Sequence, residues 1–475
     1  MSGAWRLIID SGTYLQLHDH LFPGDGDEHG AVLAAGLATS ARGTRLIARD
    51  LFVARDGVDF VPGARGYRRL TAEFVRDHIR RCRDENLVYL AVHNHGGSDS
   101  VAFSDVDLRS HERGYPALLD ISGNPVGALV LAHEALAGDV WTPDRVRRPI
   151  AETVIVGRHL RRLHPSPPPP PPKADPTWDR QIRWLGERGQ DLLSRTKVAV
   201  IGAGGVGLPL TTMLGRLGVG HIVVIDPDRV EPLNLPRLPE ATRLDAMTFL
   251  HGLGMPGLAR RLSRSKVRIA RQSVRRANRL ARFEGYRSSV IEPAAARALT
   301  DCDFIFLAAD SHHARLVFNA VCHQYLIPGI QLGTRIDVES RTGTVTDIRS
   351  NVRLVLPSTG CLRCNRLISG ARLQDESRGD RDRARNRYAD ELPAPSVISF
   401  NHEIAARAVS DFLLMLVGLM EPAAPLDYLR LRPTRRRWEP VEGLPGRPKC
   451  RDCGYGSASR RSRGDSPALP LPERR

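Results

Sequence analysis

The sequence predicts an α/β protein of two units, the second built on a doubly wound sheet. Three observations carry that reading. The apolar run Lys197-Val-Ala-Val-Ile201 ends in Gly202-Ala-Gly-Gly-Val-Gly207, and a second apolar run, Ile222-Val-Val-Ile225, ends in Asp226. Strand-like and helix-like stretches alternate from there to about residue 420, as a parallel sheet with covering helices requires. Ahead of them, His164-Pro-Ser is followed by six consecutive prolines, a stiff polyproline II spacer that has no core of its own.

The elements follow in order. Residues 1–163 read as a mixed α+β unit, with a helix over Glu73–Arg83 and strands at Tyr89–His93 and Val126–Ala132. Residues 164–176 are the proline-rich linker. The second unit, 177–454, opens on a helical lead-in, Trp178–Arg195, before the glycine-loop strand. A third strand falls at Phe304–Ala308 and an apolar helix at Glu403–Val417. Residues 455–475 are rich in Arg, Ser and Pro and are expected to form a disordered basic tail.

With 475 residues, 41% of them hydrophobic, two or three cored domains are expected. The formal charge of +16 is almost entirely arginine, spread along the whole chain. Lysine occurs only at Lys173, Lys197, Lys266 and Lys449. Unclustered arginine is the pattern of a GC-rich genome, so nucleic acid is not the expected partner. No apolar run is long enough to cross a membrane, and no signal-peptide core follows Met1. Four of the seven cysteines form two Cys-x-x-Cys pairs, which fits a reducing compartment and a metal. The expected setting is cytoplasmic.

The first unit carries a metal-site pattern. On a strand, residues i and i+2 share a face, so His93 and His95 can bind one ion. Ser104 would cap a helix that holds Asp107 in its first turn. Two neutral imidazoles and a carboxylate leave one position of a tetrahedral zinc open for water, a hydrolytic design. Glu28, ahead of the apolar run Ala31–Ala35, is the best candidate for a general base. Asp99 and Asp105 compete as ligands, and Ser104-x-x-Asp107 also reads as a plain capping box. A Glu upstream of His-x-His and then Ser-x-x-Asp resembles the JAMM (MPN/JAB) metalloproteases. That resemblance implies His93, His95 and Asp107 as zinc ligands, Glu28 as the group that activates water, and Ser104 as support for the tetrahedral oxyanion. It implies cleavage of peptide or isopeptide bonds after ubiquitin-like proteins. The chain departs from the pattern at Gly96, where Pro is usual, and in a spacer before Ser104 that is one residue longer.

The glycine loop needs backbone N–H groups close to phosphate at a helix N-terminus. NAD would require the glycines and Asp226 and little else. This chain also offers Asp228, Asn234, Arg237, Lys266, Asp310 and, upstream, Arg180, a set better suited to ATP with magnesium. Arg180-Gln-Ile, Gly202-x-Gly-Gly-x-Gly207, Asp226-x-Asp228, Asn234-Leu-x-Arg237, Lys266 and Asp310 resemble the ThiF/MoeB superfamily, adenylating domains related to ubiquitin-activating enzymes. The resemblance implies a Rossmann-like domain in which Gly202, Gly204, Gly205 and Gly207 hold phosphate and Asp226 takes the ribose hydroxyls. Asn234, Arg237 and Lys266 would hold and neutralise the triphosphate, Asp310 would bind magnesium, and Arg180 would reach a phosphate across a homodimer interface. The reaction implied is attack of a C-terminal glycine carboxylate on the α-phosphate of ATP.

Cys361-x-x-Cys364 and Cys450-x-x-Cys453 read as two knuckles of one closed, structural zinc site. Cys82, Cys302 and Cys322 remain, and no cysteine lies between Cys364 and Cys450, so adenylation without an obvious thioester relay is expected. The two resemblances together imply a zinc peptidase joined to an adenylyltransferase. Its partners would be a ubiquitin-like or sulfur-carrier protein with a C-terminal glycine and a conjugating enzyme, as in bacterial conjugation systems used in antiphage defence. Sulfur-carrier activation for cofactor or cysteine synthesis is the alternative enzymatic reading. A binding module with a degenerate peptidase half is the alternative from a different class.

Overall fold

The computed structural model describes residues 4–61, 69–339, 341–377, 395–425 and 428–472. Chain contacts divide it into two compact units. The first comprises residues 1–169 with 323–326 and 448–468, and the second the remainder.

In the first unit, eight strands form one sheet: β1 (Trp5–Asp10), β2 (Gly30–Ser40), β3 (Gly43–Val53), β4 (Val88–Asn94), β5 (Val126–Leu131), β6 (Leu136–Trp141), β7 (Arg147–Val156) and β8 (Leu160–Leu163). Their order is β1-β3-β2-β4-β5-β6-β7-β8, and β1 also pairs with β7, which curls the sheet onto itself. Strand alternation sorts the core. Ala31, Leu33 and Ala35 of β2 join Val88, Leu90 and Val92 of β4 in one cluster, with Leu17 and Leu21 of the helix Ser11–Leu21. Val32, Ala34 and Tyr89 enter the other, against Phe74 and Ile79 of the helix Ala72–Asp84 and Tyr115 and Leu119 of the helix Asp105–Ser122.

The tail departs from the expectation of disorder. Within the first unit, Gly464 forms a parallel bridge to Leu37 on β2, and Thr39 donates its N–H to Asp465 Oδ2 at 2.8 Å. Arg461 is buried, with its guanidinium 3.0 Å from Asp10 Oδ2. A basic composition looks solvated, but a buried carboxylate and an open strand edge turn this stretch into structure. The unit also runs past residue 163: Val101 donates its N–H to the Pro165 carbonyl at 2.9 Å.

The second unit holds β9 (Lys197–Ile201), β10 (His221–Ile225), β11 (Arg282–Tyr286), β12 (Phe304–Leu307), β13 (Gly329–Val338), β14 (Val345–Val355), β15 (Tyr428–Arg432) and β16 (Arg437–Pro440), in the order β11-β10-β9-β12-β13-β14-β15-β16. The first five pair in parallel and the last three antiparallel. The antiparallel end departs from the all-parallel expectation because the β13–β14 connection is too short to carry a crossover helix. The chain moves from β9 outward to β10 and β11, then returns to the other side of β9 with β12. That reversal opens a crevice beside the carboxyl ends of β9 and β12, where ligands bind in such sheets.

Candidate functional site

His93 continues the Tyr89 face of β4, toward the start of the helix Asp105–Ser122. Ser104 caps that helix in a reciprocal box: its Oγ accepts the Asp107 N–H at 3.2 Å, and its own N–H donates to Asp107 Oδ2 at 2.8 Å. The Ser104 hydroxyl also donates to Asp107 Oδ2, at 2.7 Å. The cap and the candidate metal ligand therefore share one side chain. Asp107 Oδ2 lies 3.5 Å from His93 Nε2 and 3.4 Å from His95 Nε2, and the two ring nitrogens are 3.2 Å apart. His95 Nδ1 lies 3.1 Å from the Ala102 carbonyl, so a neutral ring that keeps its proton on Nδ1 would offer the Nε2 lone pair to an ion, whereas without one Nε2–H donates to Asp107. Burial opposes the Asp107 charge, but hydrogen bonds from His93, His95 and Ser104 outweigh it and hold the carboxyl well below the usual carboxylate range.

The three ligand atoms lie within 4.8 Å of one another, a converging nitrogen and carboxylate set that fits zinc. Gly96 and the longer spacer do not keep them apart. Asp99 and Asp105 are exposed and lie outside this group. An open cleft of about 570 Å³, lined in part by His95, Ser100, Ala102 and Pro165, runs past the site.

Glu28 Oε1 is 3.8 Å from His95 Nε2. Its loop is held by Asn94, the residue between the two histidines. Asn94 Oδ1 accepts the His29 N–H at 2.6 Å, and Asn94 Nδ2 donates to the Asp27 carbonyl at 3.4 Å. Asn94 was not among the expected residues, although a polar side chain between two metal ligands at a strand end is a usable signal.

At the crevice of the second sheet, Gly202 has φ +96°, and a Cβ there would come within 2.9 Å of the Ala308 carbonyl oxygen. A Cβ on Gly207 would overlap the Gly202 carbonyl, whereas one on Gly204 would meet nothing within 4 Å. Gly202 and Gly207 thus make the turn, and Gly204 leaves the space open. Asp226 clamps the loop from β10: Oδ2 accepts the Ala203 N–H at 2.6 Å and Oδ1 the Asp228 N–H at 2.8 Å. Burial pushes the Asp226 carboxyl up, against the pull of Lys266. Lys266 begins the helix Lys266–Ala277 and is 9% exposed, with Nζ 2.7 Å from Asp228 Oδ2.

Asn234 is buried in a short turn, with Oδ1 accepting the Glu231 N–H at 3.1 Å. Gly205 lies against Arg237 and against Asn401 of the helix Ile398–Leu416, a neighbour the sequence did not single out. Asp310 is exposed just beyond β12. Arg180 is not brought to the loop: its neighbour Gln181 bonds the Leu217 carbonyl, past the far end of the helix Gly207–Arg216 and roughly 15 Å along its axis from the glycines.

Cys361 and Cys364 are buried, as are Cys450 and Cys453, each pair a Cys-x-x-Cys knuckle of the kind that holds a metal. Cys82, Cys302 and Cys322 are buried as well. Burial pushes the Cys82 thiol up to about 12 and the Cys322 thiol well above its ordinary range, so neither supplies a thiolate near neutral pH. Among the described residues, no helix is long and apolar enough to cross a membrane.

The chain is similar to a sulfur carrier protein adenylyltransferase of Thermus thermophilus, 32% identical over 135 residues that cover 28% of this chain and 44% of that protein. It is also similar to the SAMP-activating enzyme E1 of Haloferax volcanii, 27% identical over 180 residues that cover 38% of this chain and 57% of that one. Among solved structures it is similar to Escherichia coli MccB with MccA-N7isoASN, at 18% identity and a TM-score of 0.45, over 59% of this chain and 76% of that chain. The chain thus spans less than two thirds of the length of either curated relative. Residues 178–452 match the ThiF family as a whole, and with more than half of its length inside that match, the chain belongs to the ThiF family.

Proposed function

We infer that the second unit adenylates the C-terminal glycine of a ubiquitin-like or sulfur-carrier protein, using ATP and magnesium. The observation that carries this reading is Lys266, a nearly buried cation in a chain with only four lysines. It is held by Asp228 beside the carboxylate that clamps the glycine turn. Lys266 and Arg237 are assigned to neutralise the phosphates, the amides around the open Gly204 to receive them, and Asp310 to the magnesium. The task is positioning and charge neutralisation, with the carrier carboxylate as nucleophile and pyrophosphate as leaving group. Arg180 lies away from the loop of its own chain, which favours a homodimer in which each copy completes the other's site. The ubiquitin-like and sulfur-carrier readings share this chemistry. The name of the Thermus thermophilus relative supports the sulfur carrier, and the adjoining peptidase pattern supports the ubiquitin-like protein.

The first unit is assigned hydrolysis of peptide or isopeptide bonds after that carrier. His93, His95 and Asp107 would hold zinc, which when bound polarises a carbonyl and acidifies water. Glu28 is assigned to take a proton, and the bonds of Asn94 to the backbone on either side of Glu28 support that role. The four paired cysteines are assigned a second, structural zinc.

Metal-replete protein given ATP, magnesium and a β-grasp carrier ending in Gly-Gly is expected to release pyrophosphate and to exchange labelled pyrophosphate into ATP. Absence of exchange overturns the adenylation reading. A carrier fused at its C-terminus to a reporter is expected to be cleaved, and Glu28→Ala to lower the rate at least a hundredfold, the scale of a lost general base. Equal cleavage by the variant overturns the peptidase reading.

A further inference from the structure

All seven cysteines are buried, so an acyl group leaving an adenylate meets no exposed thiol in this chain. A hydroxyl is placed differently. Beyond β12 the chain passes Asp310 and enters the helix His312–Gln324. Glu376, in the helix Gly370–Ser377, reaches that entry: its carboxylate accepts the backbone N–H of His312 at 2.7 Å and of His313 at 2.9 Å, and also His313 Nδ1–H at 2.9 Å. The contact to Nδ1 sets the tautomer and leaves the lone pair on Nε2. Ser377 Oγ lies 3.3 Å from that Nε2. Hydroxyl, imidazole and carboxylate therefore stand in the order of an activated nucleophile, its base and the group that orients the base.

Ser377 is exposed, whereas His313 is buried and Glu376 half-buried, so the hydroxyl is the member of the set that solvent reaches most freely. Burial works against the Glu376 charge, but the two amides and His313 outweigh it and keep the carboxyl below its ordinary range. His313 is three residues past Asp310, within about 11 Å by chain length alone. A helix-capping role accounts for the two amide contacts of Glu376. It leaves unexplained the side-chain contact that orients His313 and the serine on the opposite ring nitrogen.

The geometry points to Ser377 as the acceptor of the acyl group, with His313 as its base and Glu376 as the residue that positions His313. The inference rests on the adenylation reading for its acyl donor. Ser377 Oγ forms a bond to the carbonyl carbon of the acyl adenylate, the bond from that carbon to the phosphate oxygen breaks, and AMP leaves. The hydroxyl proton passes to His313 Nε2, and Glu376 stabilises the imidazolium. The product is an oxyester of the carrier glycine on Ser377, which an acceptor amine or thiol then resolves, returning the proton to the serine. In the resting arrangement the hydroxyl also contacts the Leu373 carbonyl at 2.9 Å, so one rotation about the serine side chain turns it onto the base.

Two measurements on the full-length protein test this. A fluorophosphonate probe, which needs no carrier, is expected to label Ser377 by peptide mapping, at least tenfold more slowly in His313→Ala and Glu376→Gln. No label at Ser377, or a rate indifferent to His313→Ala, overturns the assignment. With ATP, magnesium and the Gly-Gly carrier, wild-type protein is expected to form a carrier adduct that survives dithiothreitol and is released by hydroxylamine. Ser377→Ala should lose the adduct, and Ser377→Cys should convert it to one that dithiothreitol releases. Pyrophosphate release by the wild type without such an adduct, or an adduct that persists in Ser377→Ala, overturns the inference. Absence of pyrophosphate release counts instead against adenylation, and the labelling result then decides the serine by itself.

Discussion

At the scale of single residues, the glycine loop separates into positions that shape it and positions that leave room. Gly207→Ala would drive a methyl into the Gly202 carbonyl, backbone against backbone, where nothing flexible can yield. Its expected cost is about 3 kcal/mol, the upper end for overpacking a tight interior. Gly204→Ala meets nothing within 4 Å, so its fold should hold while ATP binding weakens. Urea denaturation read beside ATP titration checks the pair, and equal stability of the two variants would contradict the division. The lysines divide in a similar way. Lys173 and Lys449 are exposed, whereas Lys266 is paired with Asp228 and Lys197 is buried 2.5 Å from Asp301. Scarcity therefore marks where a compact ammonium is held, although it marks a structural ion pair as readily as a binding site.

At the scale of elements, the C-terminal segment is the clearest departure from expectation. Asp10 caps the helix Ser11–Leu21, accepting the N–H of Gly12 and of Thr13, each at 3.1 Å, and Arg461 neutralises it from the tail. Arg461→Met keeps most of the bulk and leaves a buried carboxylate without its counter-charge, so a loss of about 3–5 kcal/mol is expected. Chemical denaturation of the full chain measures it, and a loss below 1 kcal/mol would mean that the segment is only loosely attached. The cap also bears on the candidate metal ligands of the first unit. A capping box and a metal ligand were competing readings of Ser104-x-x-Asp107, yet the two are compatible: the same Asp107 oxygen closes the cap and faces both histidines, because the first turn of a helix aims its carboxylate at its own N-terminus and at whatever stands before it.

At the scale of the whole molecule, acid should weaken the fold through a histidine the site does not use. His323 is fully buried, and burial, reinforced by Arg461, pushes its imidazole down to about 3. The unfolded chain takes up that proton near pH 6.5 while the native state does not, so stability is full above pH 7 and falls as pH drops from 6.5 toward 3. The slope is up to about 1.4 kcal/mol per pH unit. His323→Phe should remove that part of the slope in thermal midpoints recorded from pH 7.5 to 4.5, and an unchanged slope would assign acid sensitivity elsewhere.

The sequence by itself determined the strand ends, the glycine turn, the His-x-His pair and the capped helix that presents Asp107. Each depends on a short-range pattern: period-two alternation, a left-handed glycine, or a side chain bonding its own first turn. Only the tertiary structure decided what holds the Glu28 loop in place, whether the tail is ordered, and which hydroxyl lies against a buried imidazole. Asn94 and His29 are 65 residues apart, Arg461 and Asp10 are 451 apart, and Ser377 and His313 are 64 apart. No periodicity links such pairs. They meet because the sheets bring distant strand ends together, and a buried carboxylate or imidazole brought there must find a partner or lose its charge.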